Sequence, residues 1–267
     1  MQQLETLSLA VDDGVLVVTF TRADKMNAWN YAMHAELRRA IEGANADPAI
    51  DAIVITGEGK GFCAGADMSA VFGLTEEQKQ QARAEARTDD WVALLRRSKP
   101  VIAAINGAAI GVGMSLILPV DQILAAPEAK IALRFVKMGI VPEFAASHFV
   151  ERRIGFGATS RILLTGDDMT AQDAQGLGLI DRVVPAAELL TEAKALARRM
   201  GQNPHMALCT TKQLLTANGP EADLALVQQR ELEALGRCYA SAEHKEAVAA
   251  FREKRAPDFK AVRAQQA

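Results

Sequence analysis

The stretch Gly61-Phe62-Cys63-Ala64-Gly65-Ala66-Asp67 constrains this chain more than any other. It follows an apolar run, Ala52-Ile53-Val54-Ile55, that reads as a buried strand closed by Thr56-Gly57. A strand that ends in a glycine-flanked turn leaves backbone N–H groups outside any ladder. Such a donor holds negative charge that develops on a substrate oxygen. An ordinary Gly-rich loop has the same composition, so the motif gains meaning only beside a second one.

The second one is Lys99-Pro100-Val101-Ile102-Ala103-Ala104-Ile105-Asn106-Gly107-Ala108-Ala109-Ile110-Gly111-Val112-Gly113. It again reads as strand, turn, and small residues opening an apolar helix, Met114 to Leu118. Small side chains let a ligand approach the backbone closely, and a helix start favours negative charge. Two such turns can each supply one N–H to the same oxygen.

These paired motifs and the spacing between them resemble the crotonase (enoyl-CoA hydratase/isomerase) superfamily. The resemblance runs from Arg22-Ala23-Asp24-Lys25-Met26-Asn27-Ala28 to Phe251-Arg252-Glu253-Lys254-Arg255-Ala256-Pro257. It implies an α/β chain of the crotonase (ClpP-like) fold. That fold is a spiral of ββα turns forming a twisted sheet surrounded by helices, with a C-terminal helical region for trimerisation. The corresponding division is 1–186 for the spiral core and 187–267 for the helical region.

The bulk numbers fit. The chain has 267 residues, about half of them hydrophobic, and a net charge of −3. That is enough to bury one large core. The acidic balance argues against a general nucleic-acid surface. The cysteines Cys63, Cys209 and Cys238 are far apart, lack metal-ligand spacing and are odd in number. They point to a reducing cytoplasm and to no metal site. The N-terminus lacks the pattern of a signal peptide, and no apolar run is long enough for a bilayer.

In chain order, Leu7–Val11 and Val15–Phe20 flank Asp12-Asp13-Gly14, a hairpin signal. Asn30 reads as the cap of a helix whose buried face carries Met33, Leu37, Ala40 and Ile41. Thr75 to Arg97 reads as one long helix with interleaved charges, including Arg83, Arg87, Arg96 and Arg97. One superfamily branch binds RNA, but the acids between these arginines mark a solvated face. Asp121–Ala126 and Lys130–Ala132 read as strands. A helix is expected from Ala145 to Arg153, then a capping box at Thr170-Ala171-Gln172-Asp173 and a late strand, Leu179–Val184. Helices follow at about 186–200, 206–217, 221–240 and 243–253.

By resemblance, the two oxyanion donors are the N–H groups of Ala66 and Val112. Relatives often have glycine at the second, and a valine is tolerable if its φ is ordinary. Losing one such donor costs about 3–4 kcal/mol of transition-state stabilisation. Hydratases of the superfamily position a water with two glutamates, and those places hold Ser115 and Phe135 here. Neither shuttles a proton at neutral pH. Glu143, in Gly139-Ile140-Val141-Pro142-Glu143, resembles the single acid of one isomerase branch. The alternative for Glu143 is an acid near a helix start favoured by the macrodipole. Its apolar neighbours would raise its pKa toward a useful base.

The resemblance also implies contacts to coenzyme A from Lys25, Met26, Ala28, Ala64, Gly65, Met68 and Gly111. Phe251 and Lys254 would reach its phosphates, often from the next subunit. Asp67 more often braces the loop than reacts. His148 is noted as a neighbour of Glu143. The expectation is an enoyl-CoA isomerase acting on a 3-enoyl-CoA in a trimer or dimer of trimers. It would need no cofactor beyond the substrate's own CoA, no metal, no nucleic acid and no membrane. A hydratase-type lyase and a non-catalytic acyl-CoA-binding or assembly paralogue are the alternatives.

Overall fold

The computed structural model describes residues 4–265. Strands β1 (Leu7–Asp12) and β2 (Val15–Phe20) form an antiparallel hairpin. Its turn residues Asp13 and Gly14 both have positive φ, 48° and 77°, as a type I′ turn requires. Helix α1 (Tyr31–Ala46) is capped by Asn30, whose Oδ1 accepts from the Met33 N–H at 2.8 Å. Its residues Met33, Leu37 and Ile41 are fully buried.

Each later turn of the chain uses two strands and then a helical segment. Strand β3 (Ala52–Gly57) lies in one sheet, and β4 (Gly61–Cys63) lies in another. The turn is completed by α2 (Glu76–Ala86) and α3 (Trp91–Arg97). Next come β5 (Val101–Ile105), β6 (Ala108–Ile110) and the short α4 (Val112–Ser115). Then follow β7 (Gln122–Ala125), β8 (Lys130–Ala132) and α5 (Ala146–Thr165). One sheet has the order β1-β2-β3-β5-β7-β10 and the other β4-β6-β8-β9. The spiral of ββα turns therefore deals its strands alternately to two sheets. After α5 come β9 (Asp168–Thr170), α6 (Ala171–Leu177) and β10 (Arg182–Val183). The capping box at Thr170 and Asp173 is formed in both directions. The late strand is only two residues long, and β9 was not foreseen.

Strand side chains separate by period two. Leu16, Val18, Phe20, Ile53, Ile55, Val101, Ala103 and Ile105 face the larger core with α1, α3 and the second sheet. Val15, Val17, Ala52, Val54, Ile102 and Ala104 face the other way, onto Leu189, Ala193 and Ala197. Those three belong to α7 (Leu189–Gly201). Helix α7 therefore covers a face of the six-stranded sheet. Beyond it lie α8 (His205–Asn218), α9 (Leu224–Ala240), α10 (Ala242–Glu253) and α11 (Phe259–Ala264). Buried Lys212 anchors α8 through the Lys99 carbonyl at 3.0 Å and Asp121 at 2.8 Å.

The expected single helix from Thr75 to Arg97 is two helices. Arg87 adopts a left-handed conformation, φ 51° and ψ 54°, and a 3-10 turn (Thr88–Asp90) leads into α3. Buried Arg38 of α1 holds the break. It donates to the Arg87 carbonyl at 3.0 Å and pairs with Asp90 through both terminal nitrogens. Among the described residues, no helix is long and apolar enough to cross a membrane.

Candidate active site

Strands β4 and β6 are parallel neighbours, with Gly61 opposite Ala108 and Cys63 opposite Ala109. Their C-terminal ends therefore open at one edge, and the two small-residue loops leave from there. Gly113 draws the loops together. A Cβ at that position would lie 2.2 Å from the Cys63 carbonyl oxygen, so only glycine allows this approach. Gly65 has φ +107°, and a Cβ there would stand 3.5 Å from the Ile110 carbonyl.

The first loop is pinned on both sides of Ala66. Trp29 N–H donates to the Gly65 carbonyl at 2.7 Å, and Asp67 N–H donates to the Trp29 carbonyl at 2.8 Å. Ala66 lies between them, and its own N–H donates to no group among the described residues. In the second loop, Gly111 N–H donates to the Ala132 carbonyl at 2.7 Å. Gly111 has φ 53° and ψ −117°, a region closed to side chains. Val112 follows as the first residue of α4, where a helix leaves its N–H without an internal acceptor. Val112 is not among the residues with positive φ, so its side chain carries no strain. Ala66 and Val112 line one cavity of about 1000 Å³.

Glu143 lines the same cavity. Its carboxylate makes no hydrogen bond or ion pair among the described residues. Although the residue as a whole is solvent-accessible, loss of hydration at the carboxyl raises its pKa above the usual range, and the charge of Arg83 opposes the rise. The next two residues, Phe144 (φ 51°) and Ala145 (φ 55°), are both left-handed without being glycine. They close a turn in which Ala146 N–H donates to the Glu143 carbonyl at 3.0 Å. Because α5 begins only at Ala146, Glu143 is not in its first turn, and the macrodipole reading loses its basis. Two residues so placed are strained by about 1–3 kcal/mol each unless packing holds them. Phe144 is held by His34, Trp91 and the turn itself.

The remaining expected residues divide. Ala64, Gly65, Met68, Gly111 and Phe135 line the cavity. Asp67 is a brace. It accepts from Arg22 Nη2 at 2.7 Å and from Ser69 Oγ at 2.8 Å, and it caps the Ser69 and Ala70 N–H groups at 3.2 Å. The Arg22 guanidinium holds its carboxyl well below the usual range. Lys25 sits 3.5 Å from Asp67, the Met26 carbonyl accepts from Ala64 N–H at 3.1 Å, and the Ala28 carbonyl accepts from Arg22. These three support the loop and are not cavity walls. Ser115, expected near the substrate, is instead fully buried and turned back toward the Val112 carbonyl, its Oγ 3.4 Å away. Its place in the last turn of α4 points it inward. Phe251 and Lys254 lie at the end of α10, exposed and outside the cavity. His148 is on α5 against Phe149 and is not a wall residue. Cys63 is a buried thiol, pushed up to about 11 by burial.

Sequence reasoning missed Arg83, Lys79 and Glu76 of α2 as wall residues. The only signal was their placement on a helix of interleaved charge, which reads as solvated. Among the described residues, no group of three metal-ligating side chains is found.

A family model described as "Enoyl-CoA hydratase/isomerase" matches residues 10–262. The 2,3-dehydroadipyl-CoA hydratase of Escherichia coli is 34% identical over 247 residues, 92% of this chain and 95% of that protein. The 1,2-epoxyphenylacetyl-CoA isomerase of the same organism is 31% identical, covering 96% of this chain and 98% of that one. Among solved structures, an enoyl-CoA hydratase from Bacillus anthracis superposes with a TM-score of 0.87 at 31% identity. That match covers 96% of this chain and 99% of that one.

Proposed function

Since the chain belongs to the enoyl-CoA hydratase/isomerase family, we propose that it is an isomerase moving the double bond of a 3-enoyl-CoA from C3 to C2. The observation that carries this reading is the set of groups around one cavity. Two unengaged N–H groups, Ala66 and Val112, share it with one unengaged carboxylate, Glu143.

In this reading, the thioester carbonyl accepts from both N–H groups. Glu143 removes a proton from C2, the freed electron pair forms a C1–C2 double bond, and the carbonyl electrons move onto the oxygen, leaving a dienolate whose oxygen rests on the two donors. The same carboxyl returns that proton at C4, so the double bond ends between C2 and C3. No water or second acid is consumed. A base raised above the ordinary carboxylate range matches this work better than one with an ordinary pKa.

The hydratase reading has support in the names of the relatives, most of which are hydratases. Against it stands the chemistry of the walls. Phe135 replaces one expected carboxylate, Ser115 is turned away, and Glu76, the only other wall acid among the described residues, is paired with Lys79 at 2.7 Å. A homo-oligomer, trimer or dimer of trimers, is part of the proposal. Exposed apolar residues of α9 and α10, Leu224, Leu232, Tyr239 and Phe251, support it.

Glu143→Gln assayed with 3-enoyl-CoA and 2-enoyl-CoA tests the function. The expected result is loss of isomerisation with acyl-CoA binding kept. Hydration that survives the substitution would establish the hydratase. Binding without turnover of either substrate by the parent protein would establish a non-catalytic paralogue.

A further inference from the structure

We propose that Arg83 is a specificity residue that binds a carboxylate at the far end of the acyl chain, so that the preferred substrates are acyl-CoAs with an anionic tail. This rests on the proposed function only in placing the acyl chain along Glu143.

Among the described residues, the cavity walls carry four cations, Lys79, Arg83, Arg134 and Lys137. Three already have acids. Lys79 Nζ is 2.7 Å from Glu76, Arg134 pairs with Asp168, and Lys137 Nζ is 3.7 Å from Asp167. Among the described residues, the Arg83 guanidinium has neither a hydrogen bond nor an ion pair. It is solvent-accessible, as a group that meets a ligand must be.

Its position gives it a task. Arg83 is near enough to Glu143 for its charge to act there, yet the two do not pair. A pairing would remove the base from the reaction, so the guanidinium is left to find another anion. The same cavity walls include apolar Val71, Phe72, Ile140, Val141 and Phe144. A tail carboxylate entering this cavity loses part of its hydration, and a cation offsets that loss. Arginine suits it, because its planar fork matches a carboxylate with two parallel bonds.

A carboxylate on Arg83 also changes the base. It neutralises the charge that restrains the Glu143 pKa, so an anionic substrate itself sharpens the group that deprotonates it.

Isothermal titration measures the proposal without turnover. The ligands are two saturated acyl-CoAs of equal chain length, one ending in a carboxylate and one in a methyl group, with free CoA as reference. The parent protein is expected to bind the carboxylate-ended ligand about tenfold tighter or more, the size of one hydrogen bond to a charged group. Arg83→Gln should bring that ratio close to one, and Arg83→Lys should keep part of it. A ratio near one in the parent protein overturns the proposal, as does a ratio unchanged in Arg83→Gln. So does a loss of free-CoA affinity in Arg83→Gln equal to that of the carboxylate-ended ligand, which would assign the cation to the CoA phosphates. A parent protein that isomerises no 3-enoyl-CoA, whether carboxylate-ended or methyl-ended, yet keeps the binding ratio refutes the isomerase and supports the carboxylate site.

Discussion

The imidazole of His34 and the ring of Phe144 lie face to face, 5.5 Å between centroids and 4° apart in plane. Trp91 and Trp29 close the box at 4.7 Å and 5.9 Å from the imidazole. His34 is fully buried, and neither ring nitrogen has a hydrogen-bond partner among the described residues. The stack carries burial from α1 to the residue after Glu143, and it helps hold a turn that the backbone alone would not choose.

This box makes the protein acid-sensitive. Burial lowers His34 from 6.5 to about 4. Between those values the unfolded chain binds the proton and the folded chain does not. Stability is thus complete above about 6.5 and drains as pH falls toward 4, by ~3 kcal/mol in all. His34→Leu is expected to flatten the urea-unfolding free energy across that window. An unchanged pH slope in the variant would refute the assignment.

For Glu143 the sign is opposite. Its folded pKa is raised, mainly by loss of hydration. Ionisation therefore costs stability as pH rises through the folded value, and none below the unfolded one. Glu143→Gln should melt higher than the parent at pH 8, and the gap should close toward pH 4. In activity, kcat/KM should fall on the acid side with a midpoint above that of an ordinary glutamate. Arg83→Gln should move that midpoint further up, because the opposing charge is gone. A midpoint that shifts down would contradict the geometry.

Gly111 and Gly113 should fail for different reasons. At Gly111 a Cβ meets nothing within 4 Å, but φ 53° with ψ −117° excludes one. Gly111→Ala is expected to cost about 1–3 kcal/mol by backbone strain. At Gly113 the clash is with the Cys63 carbonyl. Gly113→Ala should cost a similar ~1–3 kcal/mol by overpacking and should also lower kcat by spreading the two N–H donors. Unfolding curves and steady-state kinetics on the pair separate strain from displacement.

Arg38 should matter for the cavity wall although it lies outside the cavity. It ties the Arg87 break to α1 through Asp90 and the Arg87 carbonyl. Arg38→Met leaves the Arg87 carbonyl without this donor and Asp90 with only Arg87 and Arg97 beside it, at a cost of about 1–3 kcal/mol. Freed at its C-terminal end, α2 should bring Glu76, Lys79 and Arg83 less firmly to the ligand, and KM should rise more than kcat falls. A variant with lowered stability and an unchanged KM would separate α2 from binding.

Where backbone chemistry is local, the residues alone announced the structure. Asp13-Gly14 reads as a turn because few residues accept positive φ, and Asn30 reads as a cap because its side chain bonds three residues on. Gly65, Gly111 and Gly113 marked both loops, since glycine is what close approach and positive φ demand. The resemblance built on those loops extended to the fold and the family.

Other features depended on residues distant in the chain. The break at Arg87 exists because Arg38, 49 positions earlier, satisfies its carbonyl. The strands fall into two sheets because Gly61 and Cys63 pair with Ala108 and Ala109, not with the strand before them. Arg83 reads as solvated on its own helix, and only the folded chain shows that it lines the cavity and has no acid paired to it among the described residues. Glu143 was visible as an acid after a proline, but its freedom from partners and its loss of hydration come from walls supplied by other segments. Local sequence determined the donors, caps and turns of this protein, because those obey the sterics of a few consecutive residues. Tertiary structure decided which charges stay unpaired around the cavity, because pairing and hydration depend on what the rest of the chain brings near.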